Sequence, residues 1–538
     1  MANEGAPSEH SVPAESIEIQ DLSVDALTAL PPKREASKPD FVDTHFPVSM
    51  EEFEALKAEA VAVTDEGLAP QEAQEDPHGA AVAEAPEIAD PDADVGEDEA
   101  DETVELDALA PPAGHSFEGL PQTRFQPPDC AVAVGPTHVL VAVNTSMGIY
   151  DKSGNLLQRW PDLVQFFAPV LPTGAGIFDP QVHYDHYESR WILVIAARRQ
   201  SPQGSWMLLG ASQTANPLGR WWIWALDFSV DGGTASGNWG DYPMLGVDTQ
   251  ALYIGTNQFQ FAGGFAYGKV RILNKREIYS GSGLQWWDYW NLTEPNGQLA
   301  FTVQPCRHYR GRGNFAAWML NAEFAEGNNL VLWRILNPLG HWAGGAPSLD
   351  RWEVGVSSYQ IGPDARQSGT DNRIETNDNR LLNAVYQSAG DTQRIWAAHT
   401  VRISWSGDAE ARTAIRWYEI DVASRQAVQQ RSYGASGLYY FFPVIQTDFR
   451  RNAYLTFGRS GDNEFGQLRT TGRLTTDPPH DLQGSSLVKA GESAYPGSRW
   501  GDYFGTSRDG ADQNRVWGYG QFADTSGTWG TWAHSGKF

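Results

Sequence analysis

The sequence has little of what several large functional classes require. Its 538 residues include only two cysteines, Cys130 and Cys306, too few for a disulfide framework, so we expect two buried thiols. No apolar run approaches the length of a transmembrane helix, and the N-terminus lacks the basic region and apolar stretch of a signal peptide. His-Glu-x-x-His, Cys-x-x-Cys, Gly-x-Ser-x-Gly and phosphate-loop motifs are absent, which argues against the enzyme classes built on them.

Acidic residues are concentrated at the N-terminal end of the chain. Residues 1–114 carry 30 Asp and Glu against 4 Lys and Arg, a net charge of −26, whereas residues 115–538 carry 37 against 35, a net charge of −2. The larger part is therefore nearly neutral and lacks the excess of Lys and Arg typical of nucleic acid binding. Its tryptophans, the first of which is Trp160, provide ample material for a core.

The acidic segment, residues 1–114, is predicted to be a disordered tail. It contains three Phe and no Trp or Tyr, so it cannot bury enough apolar surface to offset its ordering entropy. A short amphipathic helix is predicted near residues 49–62, because Ser49 and Glu52 form a capping box ahead of an apolar face. Residues 17–30 form a second apolar-spaced stretch. Both stretches suggest elements that dock to a protein partner, a propeptide, or an export or packaging address, and transient helices without a partner are the alternative.

A repeated pattern of inner strand, turn Asp and aromatic-rich strand organises residues 115–538. In the four clearest copies, the inner strand and its turn Asp occupy residues 179–185, 241–248, 443–448 and 502–509. Further, degenerate copies bring the number of copies to seven. With further short strands, each copy makes about four strands. Four-stranded sheets repeated radially form a β-propeller. We therefore predict an all-β domain, a propeller of seven four-stranded blades, or of six if the fourth copy is an insertion. A two-sheet sandwich is the weaker alternative.

Carboxylates are expected to converge at one mouth of the central channel, because the first strand of each blade lines that channel. Asp129, Asp179, Asp241 and Asp502 each open an inner strand, and Gln304 takes the matching place in the fourth copy. Such carboxylates repel one another unless they share a cation or an Arg. Oxygen ligands of this kind suit calcium, so the four Asp residues are predicted metal ligands. The alternative is that each Asp caps a turn within its own blade.

The most distinctive motif occurs twice, as Trp239-Gly-Asp-Tyr242 and Trp500-Gly-Asp-Tyr503. Its aromatic rings offer stacking faces and its carboxylate accepts hydrogen bonds from hydroxyl groups, a combination that suits a sugar. The predicted ligand-binding residues are therefore Trp239, Asp241, Tyr242, Trp500, Asp502 and Tyr503. The alternative is packing between blades, with the Trp rings filling the wedge-shaped gaps.

Several short sequence motifs resemble those of a bacterial family of predicted extracellular β-propellers, which is loosely similar to the sialidase-like superfamily. They include Val134-Gly-Pro-Thr-His138, Asn144-Thr-Ser, Gly240-Asp-Tyr-Pro243 and Arg499-Trp-Gly-Asp-Tyr503. The resemblance spans most of residues 115–538 and implies the propeller fold and an extracellular or cell-surface location, but no defined activity. The acidic tail and the missing signal peptide depart from the family pattern.

An enzymatic interpretation needs an arginine cluster, a Tyr nucleophile with a partner acid and an Asp general acid. Arg307, Arg373 and Arg499 lie near blade starts and are predicted to contact a ligand; Tyr439 and Tyr440 precede the sixth blade. The Ser-x-Asp-x-Gly-x-x-Trp repeat of sialidases, however, is not cleanly present. The sequence therefore favours a non-enzymatic propeller that binds a glycan or protein at the channel mouth. The alternatives are a glycosidase or lyase using the same mouth, and a structural or cargo protein recruited through its tail.

Overall fold

Strands dominate the part of the chain that the structure describes. The computed structural model describes residues 3–4, 12–17, 46–63, 73–79, 109–110, 113–309, 316–497, 499–525 and 527–538. The helices within these residues are Met50–Glu59, Leu163–Phe167, Lys275–Ser280 and the 3-10 turn His341–Ala343. No helix among them is both long and apolar enough to cross a membrane. The sheets confirm the predicted all-β propeller.

Residues 113–537 form antiparallel four-stranded units, lettered A to G in chain order. The strands of unit A are Ala131–Val134, His138–Val143, Ser146–Asp151 and Leu156–Trp160. Those of unit B are Gly176–Asp185, Arg190–Arg199, Gly204–Ser212 and Trp221–Asp227. Those of unit C are Asn238–Val247, Ala251–Gln260, Phe265–Asn274 and Trp286–Trp290. Those of unit D are Gln304–Pro305, Ala316–Ala322, Glu326–Leu336 and Ser348–Gln360, with Arg307–Tyr309 continuing its inner strand. The strands of unit E are Ala384–Ala389, Thr392–Ile403, Arg412–Asp421 and Gln426–Gly434. Those of unit F are Leu438–Thr447, Ala453–Gly461, Glu464–Arg473 and Gly484–Lys489. Those of unit G are Gly505–Arg508, Arg515–Ala523, Trp529–Lys537 and Ala113–Glu118.

Five of these units are blades with a sheet of their own, so the predicted count of seven or six separate blades was wrong. Units A, B, D, F and G form separate sheets, whereas units C and E belong to one 11-stranded sheet. The physical reason is the strand Arg307–Tyr309, which pairs in parallel with Val247 of unit C and with Ala384–Ala389 of unit E. Hydrogen bonding therefore continues through the inner strand of unit D instead of stopping at the inner edge of each unit.

The inner strands form a closed ring. Each inner strand contacts that of the next unit, and the inner strand of unit G contacts that of unit A. Ala113–Glu118, which precedes unit A in the chain, is the outer strand of unit G and pairs with Trp529–Lys537. The two ends of the propeller sequence thus meet in one sheet, which fastens the last unit to the first.

Packing of one unit against the next buries both faces of most strands. In Arg190–Arg199, every residue from Trp191 to Ala197 is fully buried, which explains why this strand has a continuous apolar sequence and no alternation. Cys130 and Cys306 are buried free thiols, and burial raises the pKa of each. The expectation of two buried thiols is therefore confirmed.

The turn Asp of each clear repeat closes the first hairpin of its unit. Asp185, Asp248, Asp448 and Asp509 each accept the backbone N–H of the residue two positions later, at 2.7 to 3.0 Å. This is the Asx turn, in which the carboxylate replaces a backbone acceptor. It explains why Asp occupies the turn position in all four copies.

In units A to F, a residue with positive φ lies either shortly before the inner strand or at a bulge within it. These residues are Asp129 (53°), Asp179 (55°), Tyr242 (52°), Thr302 (52°), Asn377 (58°) and Phe442 (53°). Asp and Asn tolerate this left-handed conformation better than other residues with a side chain, whereas Tyr, Thr and Phe rarely adopt it. The surrounding structure must therefore hold the conformation in place.

A side chain of the preceding unit holds three of these left-handed residues by their backbone N–H. The bonds run from Asp179 to Asn144 Oδ1 (2.7 Å), from Thr302 to Asn257 Oδ1 (2.7 Å) and from Phe442 to Thr400 Oγ1 (3.1 Å). Each acceptor lies in or directly after the second strand of its unit. We call this contact the inter-unit clasp, because it ties the entry of one inner strand to the unit before it.

Described parts of the N-terminal segment lie against the outside and one face of the propeller. Glu15–Ile17 extends unit B, Ala73–Glu75 extends unit E and Leu109–Ala110 extends unit F. The helix Met50–Glu59 has Ser49 as its N-cap, which accepts the Glu52 N–H at 3.2 Å. Residues 18–45, which include most of the second predicted docking stretch, lie outside the described residues, as does most of the predicted disordered tail.

Removing one clasp should destabilise the propeller without changing its surface. Asn257→Ala leaves the buried Thr302 N–H without its acceptor and also removes the 2.9 Å bond to Thr302 Oγ1. We expect a loss of about 2–3 kcal/mol in the free energy of unfolding, measured as a lower denaturant midpoint. The control is Asn328→Ala, at an exposed position in the strand Glu326–Leu336. Equal midpoints for the two variants would contradict a stabilising role for the clasp.

Candidate functional site

Three of the four predicted metal ligands meet at the entry of the inner strands. Carboxylate oxygens of Asp129, Asp179 and Asp502 all lie within 4.8 Å of one another, and the three residues are buried. We call them the Asp cluster. Calcium binds oxygen ligands at about 2.3–2.6 Å, so one ion can reach three oxygens at these separations. Asp241 lies outside the cluster, but its charge still acts on Asp179.

The clasp and the left-handed residues bring the Asp cluster together. Asp129 and Asp179 themselves have a left-handed φ, whereas Asp241 and Asp502 do not; Asp241 lies one residue before the left-handed Tyr242. Sequence reasoning treated these four positions as equivalent, but the structure shows two backbone settings. The matching place in unit D is Thr302, which has a left-handed φ, and not Gln304, two residues later.

Asn144 connects two members of the cluster. Its Oδ1 accepts the Asp179 N–H at 2.7 Å, and its Nδ2 donates to Asp129 Oδ2 and, at 2.9 Å, to the Pro127 carbonyl. The other oxygen of Asp129 accepts the Asp502 N–H at 2.7 Å. A carboxylate has about four acceptor sites, so these two bonds leave Asp129 able to ligate a cation.

Mutual repulsion in the Asp cluster is only partly offset. Burial raises the pKa of Asp179 well above its ordinary value, and the charges of Asp241, Asp129 and Asp502 raise it further, while Arg499 lowers it. Burial also raises the pKa of Asp129, and Asp502 adds to that effect. The cluster therefore favours the uptake of positive charge, either as protons or as a cation.

Arg499 is a cation that contacts the cluster directly. It contacts Asp502 Oδ1, and its Nε lies 3.7 Å from Glu375 Oε2. Burial alone would lower the pKa of Arg499, but Asp502, Glu375 and Asp129 together raise it. The side chains of Arg499 and Glu375 keep 16% and 18% of their surface exposed, so these two residues form the accessible rim of the site.

The Trp residues of the repeated motif serve packing between units. Trp239 is 1% exposed and has the Arg198 guanidinium 4.0 Å from its ring centroid. Trp500 is fully buried and makes edge contacts with Tyr495 and Phe441. Neither indole offers a stacking face to a ligand, so the packing alternative describes both rings in this structure.

The two tyrosines of the motif are also buried and stabilise the strand entries. Tyr242 donates to the Asp502 carbonyl at 3.2 Å, and Tyr503 donates to the Pro180 carbonyl at 2.9 Å. Their rings meet edge to face with centroids 5.6 Å apart. They connect units B, C and G and thereby support the backbone that carries the Asp cluster.

The three arginines predicted to bind a ligand do not converge. Arg307 is buried within the channel, where it donates to the Thr506 carbonyl at 3.0 Å and to Gln181 Oε1 at 3.3 Å. Arg373 pairs with Glu410 at 2.9 Å, and Arg499 lies at the rim described above. The predicted arginine cluster is therefore not formed by these residues.

A different arginine group surrounds Tyr439 and Glu410. Tyr439 donates its hydroxyl hydrogen to Glu410 Oε1, Arg366 Nε lies 2.7 Å from the same oxygen, and the Arg412 guanidinium lies 4.7 Å from the Tyr439 ring centroid. Burial raises the pKa of Tyr439 to about 12, to which the bond with Glu410 contributes. Sequence reasoning missed Arg366, Arg412 and Glu410 because they lie outside the repeated pattern.

Comparison with known proteins finds structures that are remote from this chain in sequence. No protein-family model and no curated protein matches the chain, so the resemblance suggested by the motifs has no family model behind it. Similar solved structures include a protein of unknown function from Dyadobacter fermentans, with 11% identity and a TM-score of 0.34 over 69% of this chain and 97% of that one. A Trypanosoma rangeli sialidase mutant with trans-sialidase activity has 9% identity and a TM-score of 0.31 over 66% and 53%. The α-L-arabinofuranosidase of Fusarium graminearum with arabinobiose has 8% identity and a TM-score of 0.33 over 79% and 98%.

Neutralising the cluster should stabilise the metal-free protein at high pH. Because the pKa of Asp179 is raised in the folded state, the stability it contributes is present below its unfolded pKa and is lost as pH rises through the folded pKa. In EDTA at pH 8, Asp179→Asn should raise the Tm by at least about 2 °C, and the gain should disappear near pH 4. The exposed Asp391→Asn should change neither value. A lower Tm for Asp179→Asn at pH 8 would contradict the repulsion.

Proposed function

We propose that the propeller is a binding protein that holds a glycan or protein ligand at the channel mouth, with calcium in the Asp cluster. The observation that carries this proposal is the meeting of Asp129, Asp179 and Asp502 at one point beside Arg499. Buried carboxylates in this number are costly unless a cation or protons neutralise them.

The donor set suits calcium better than a transition metal. It consists of carboxylate oxygens, with no His or Cys side chain in the group, and hard oxygen ligands favour calcium or magnesium. Calcium takes six to eight oxygen ligands. Three carboxylates supply at most about six, so hydroxyl or carbonyl oxygens of a ligand can complete the shell. Asp129, Asp179 and Asp502 would hold the ion.

The rim supplies polar groups for a ligand. Arg499 and Glu375 are partly exposed next to the cluster, one a fork of N–H donors and the other an acceptor. This pair suits the hydroxyl groups of a sugar or the side chains of a protein. Because the Trp rings of the motif are buried, recognition of the ligand rests on hydrogen bonds and charge.

A second candidate function is a carbohydrate-active enzyme, and one observation favours it. Tyr439 shares its hydroxyl hydrogen with Glu410 amid Arg366, Arg373 and Arg412. A Tyr with a partner acid and several arginines is the set that a sialidase-type site requires. Against this, Glu410 already occupies the arginines, which leaves them less able to bind a substrate carboxylate. We therefore rank binding above catalysis.

Ligand retention should depend on calcium and on the Asp cluster. We expect the full chain, presented with a panel of polysaccharides, sialoglycans and proteins, to retain at least one ligand in calcium without releasing product. EDTA or Asp179→Asn should weaken retention by at least about tenfold. Calcium should also raise the Tm of the wild type, because a ligand that binds only the folded state stabilises it. It should not raise the Tm of Asp179→Asn.

The control for this experiment is Asp391→Asn, an exposed Asp in a hairpin turn, which should behave as the wild type. Retention that is equal in calcium, in EDTA and in Asp179→Asn would contradict the role of the cluster. Release of a cleaved product that Tyr439→Phe abolishes would instead support the second candidate function.

A further inference from the structure

The helix Met50–Glu59 is folded against the propeller through one face. Phe53, Lys57 and Ala60 are buried, whereas Glu51, Glu54 and Glu59 face solvent. Phe53 stacks on Phe46 with ring centroids 3.6 Å apart, and both pack against Ile361 of the propeller. A helix of this length is marginal on its own in water, so these contacts are what keep it folded.

Lys57 enters a cage of three oxygen acceptors. Its Nζ lies 2.9 Å from Asp364 Oδ1, 2.8 Å from Thr376 Oγ1 and 2.9 Å from the Asn377 carbonyl oxygen. An ammonium group has three N–H donors, and each has one acceptor here. We call Asp364, Thr376 and Asn377 the ammonium cage.

Hydrogen bonds within the propeller preset the ammonium cage. The Thr376 hydroxyl donates to the Pro363 carbonyl at 3.0 Å, which turns its lone pairs toward Lys57. The Thr376 N–H donates to Asp364 Oδ1 at 3.2 Å and fixes that carboxylate. The cage therefore consists of propeller residues that are already positioned by one another.

The C-terminal end of the helix is bound as well. Arg402 Nε donates to the Ala60 carbonyl at 2.9 Å, and its NH2 group donates to the Ala62 carbonyl. The Ala411 N–H donates to the Val61 carbonyl at 3.0 Å. The last carbonyls of a helix lack partners within it and carry partial negative charge, so Arg402 recognises a helix end.

We propose that the ammonium cage is a recognition site for a lysine carried by an amphipathic helix, and that this chain fills it with its own Lys57. The propeller contacts three features of the helix in a fixed order along its length: the apolar side chain of Phe53, the ammonium group of Lys57 in the cage, and the carbonyls at the helix end, which Arg402 binds. The same helix, residues 46–63, from a second copy of this chain fits the site when the chain's own helix leaves it. This inference stands apart from the proposed function, since neither calcium nor a glycan takes part.

The geometry discriminates lysine from arginine. Three acceptors surround one nitrogen, which suits a compact ammonium group, whereas a planar guanidinium spreads its five N–H donors over three nitrogens. Lys57→Arg should therefore fail to replace lysine although it keeps the charge. This separates recognition of the ammonium group from simple attraction to Asp364.

Hydrogen exchange of the full chain tests the docking. In Lys57→Met and in Lys57→Arg, amides from Phe53 to Ala60 should exchange at least about tenfold faster than in the wild type, because the released helix unfolds. Amides of Arg190–Arg199 should stay protected, which shows that the blades are intact. The exposed Glu54→Gln is the matched control. Unchanged exchange in Lys57→Met would overturn the proposal.

A labelled peptide of residues 46–63 tests recognition from outside. It should bind the full-length Lys57→Met chain at least about tenfold more tightly than the same peptide carrying Lys57→Met. Adding Asp364→Asn to the full-length chain should remove that preference. Equal binding of the two peptides, or no binding of the unchanged peptide, would overturn recognition of the lysine.

Discussion

The hydrogen bond from a left-handed residue at the start of one inner strand to a side chain of the preceding unit is the constraint on which the mouth depends. It holds Thr302 and Phe442 in a conformation that these residue types rarely adopt, and together with the bond at Asp179 it links one unit to the next in three places. Because Asn144 also donates to Asp129, the same contact that joins units A and B places two carboxylates side by side. Fold stability and candidate site therefore rest on one interaction.

Charge at the mouth follows from this geometry. The backbone forces Asp129, Asp179 and Asp502 together in a buried position, and Arg499 balances only part of their charge. Protons or a cation must supply the remainder. The N-terminal helix adds a further positive group nearby, since Lys57 binds the carbonyl of Asn377, whose side chain donates to Asp502 at 3.4 Å. Lys57 and Asp502 are therefore linked through Asn377.

The repeat in the sequence was enough to predict a propeller, because equivalent positions in a radial repeat face one axis; of the four Asp residues expected to meet there, Asp129, Asp179 and Asp502 do so and Asp241 does not. The repeat could not reveal that Arg307–Tyr309 joins two units in one sheet, since parallel pairing leaves no sequence signal. The sequence could not show whether Trp239 and Trp500 are buried, because a Trp ring can either stack on a ligand or fill the gap between two sheets. Contacts such as Lys57 with Asp364 join residues more than 300 positions apart, and no periodicity connects them.

Anomalous diffraction from crystals of the full chain grown with calcium and then exchanged into terbium tests the central claim most directly. The account predicts one strong peak within about 2.3–2.6 Å of oxygens from Asp129, Asp179 and Asp502, absent in Asp179→Asn crystals treated identically. A map that shows the three carboxyl groups in contact with no peak between them would mean that protons neutralise the cluster, and it would contradict a cation site at the mouth.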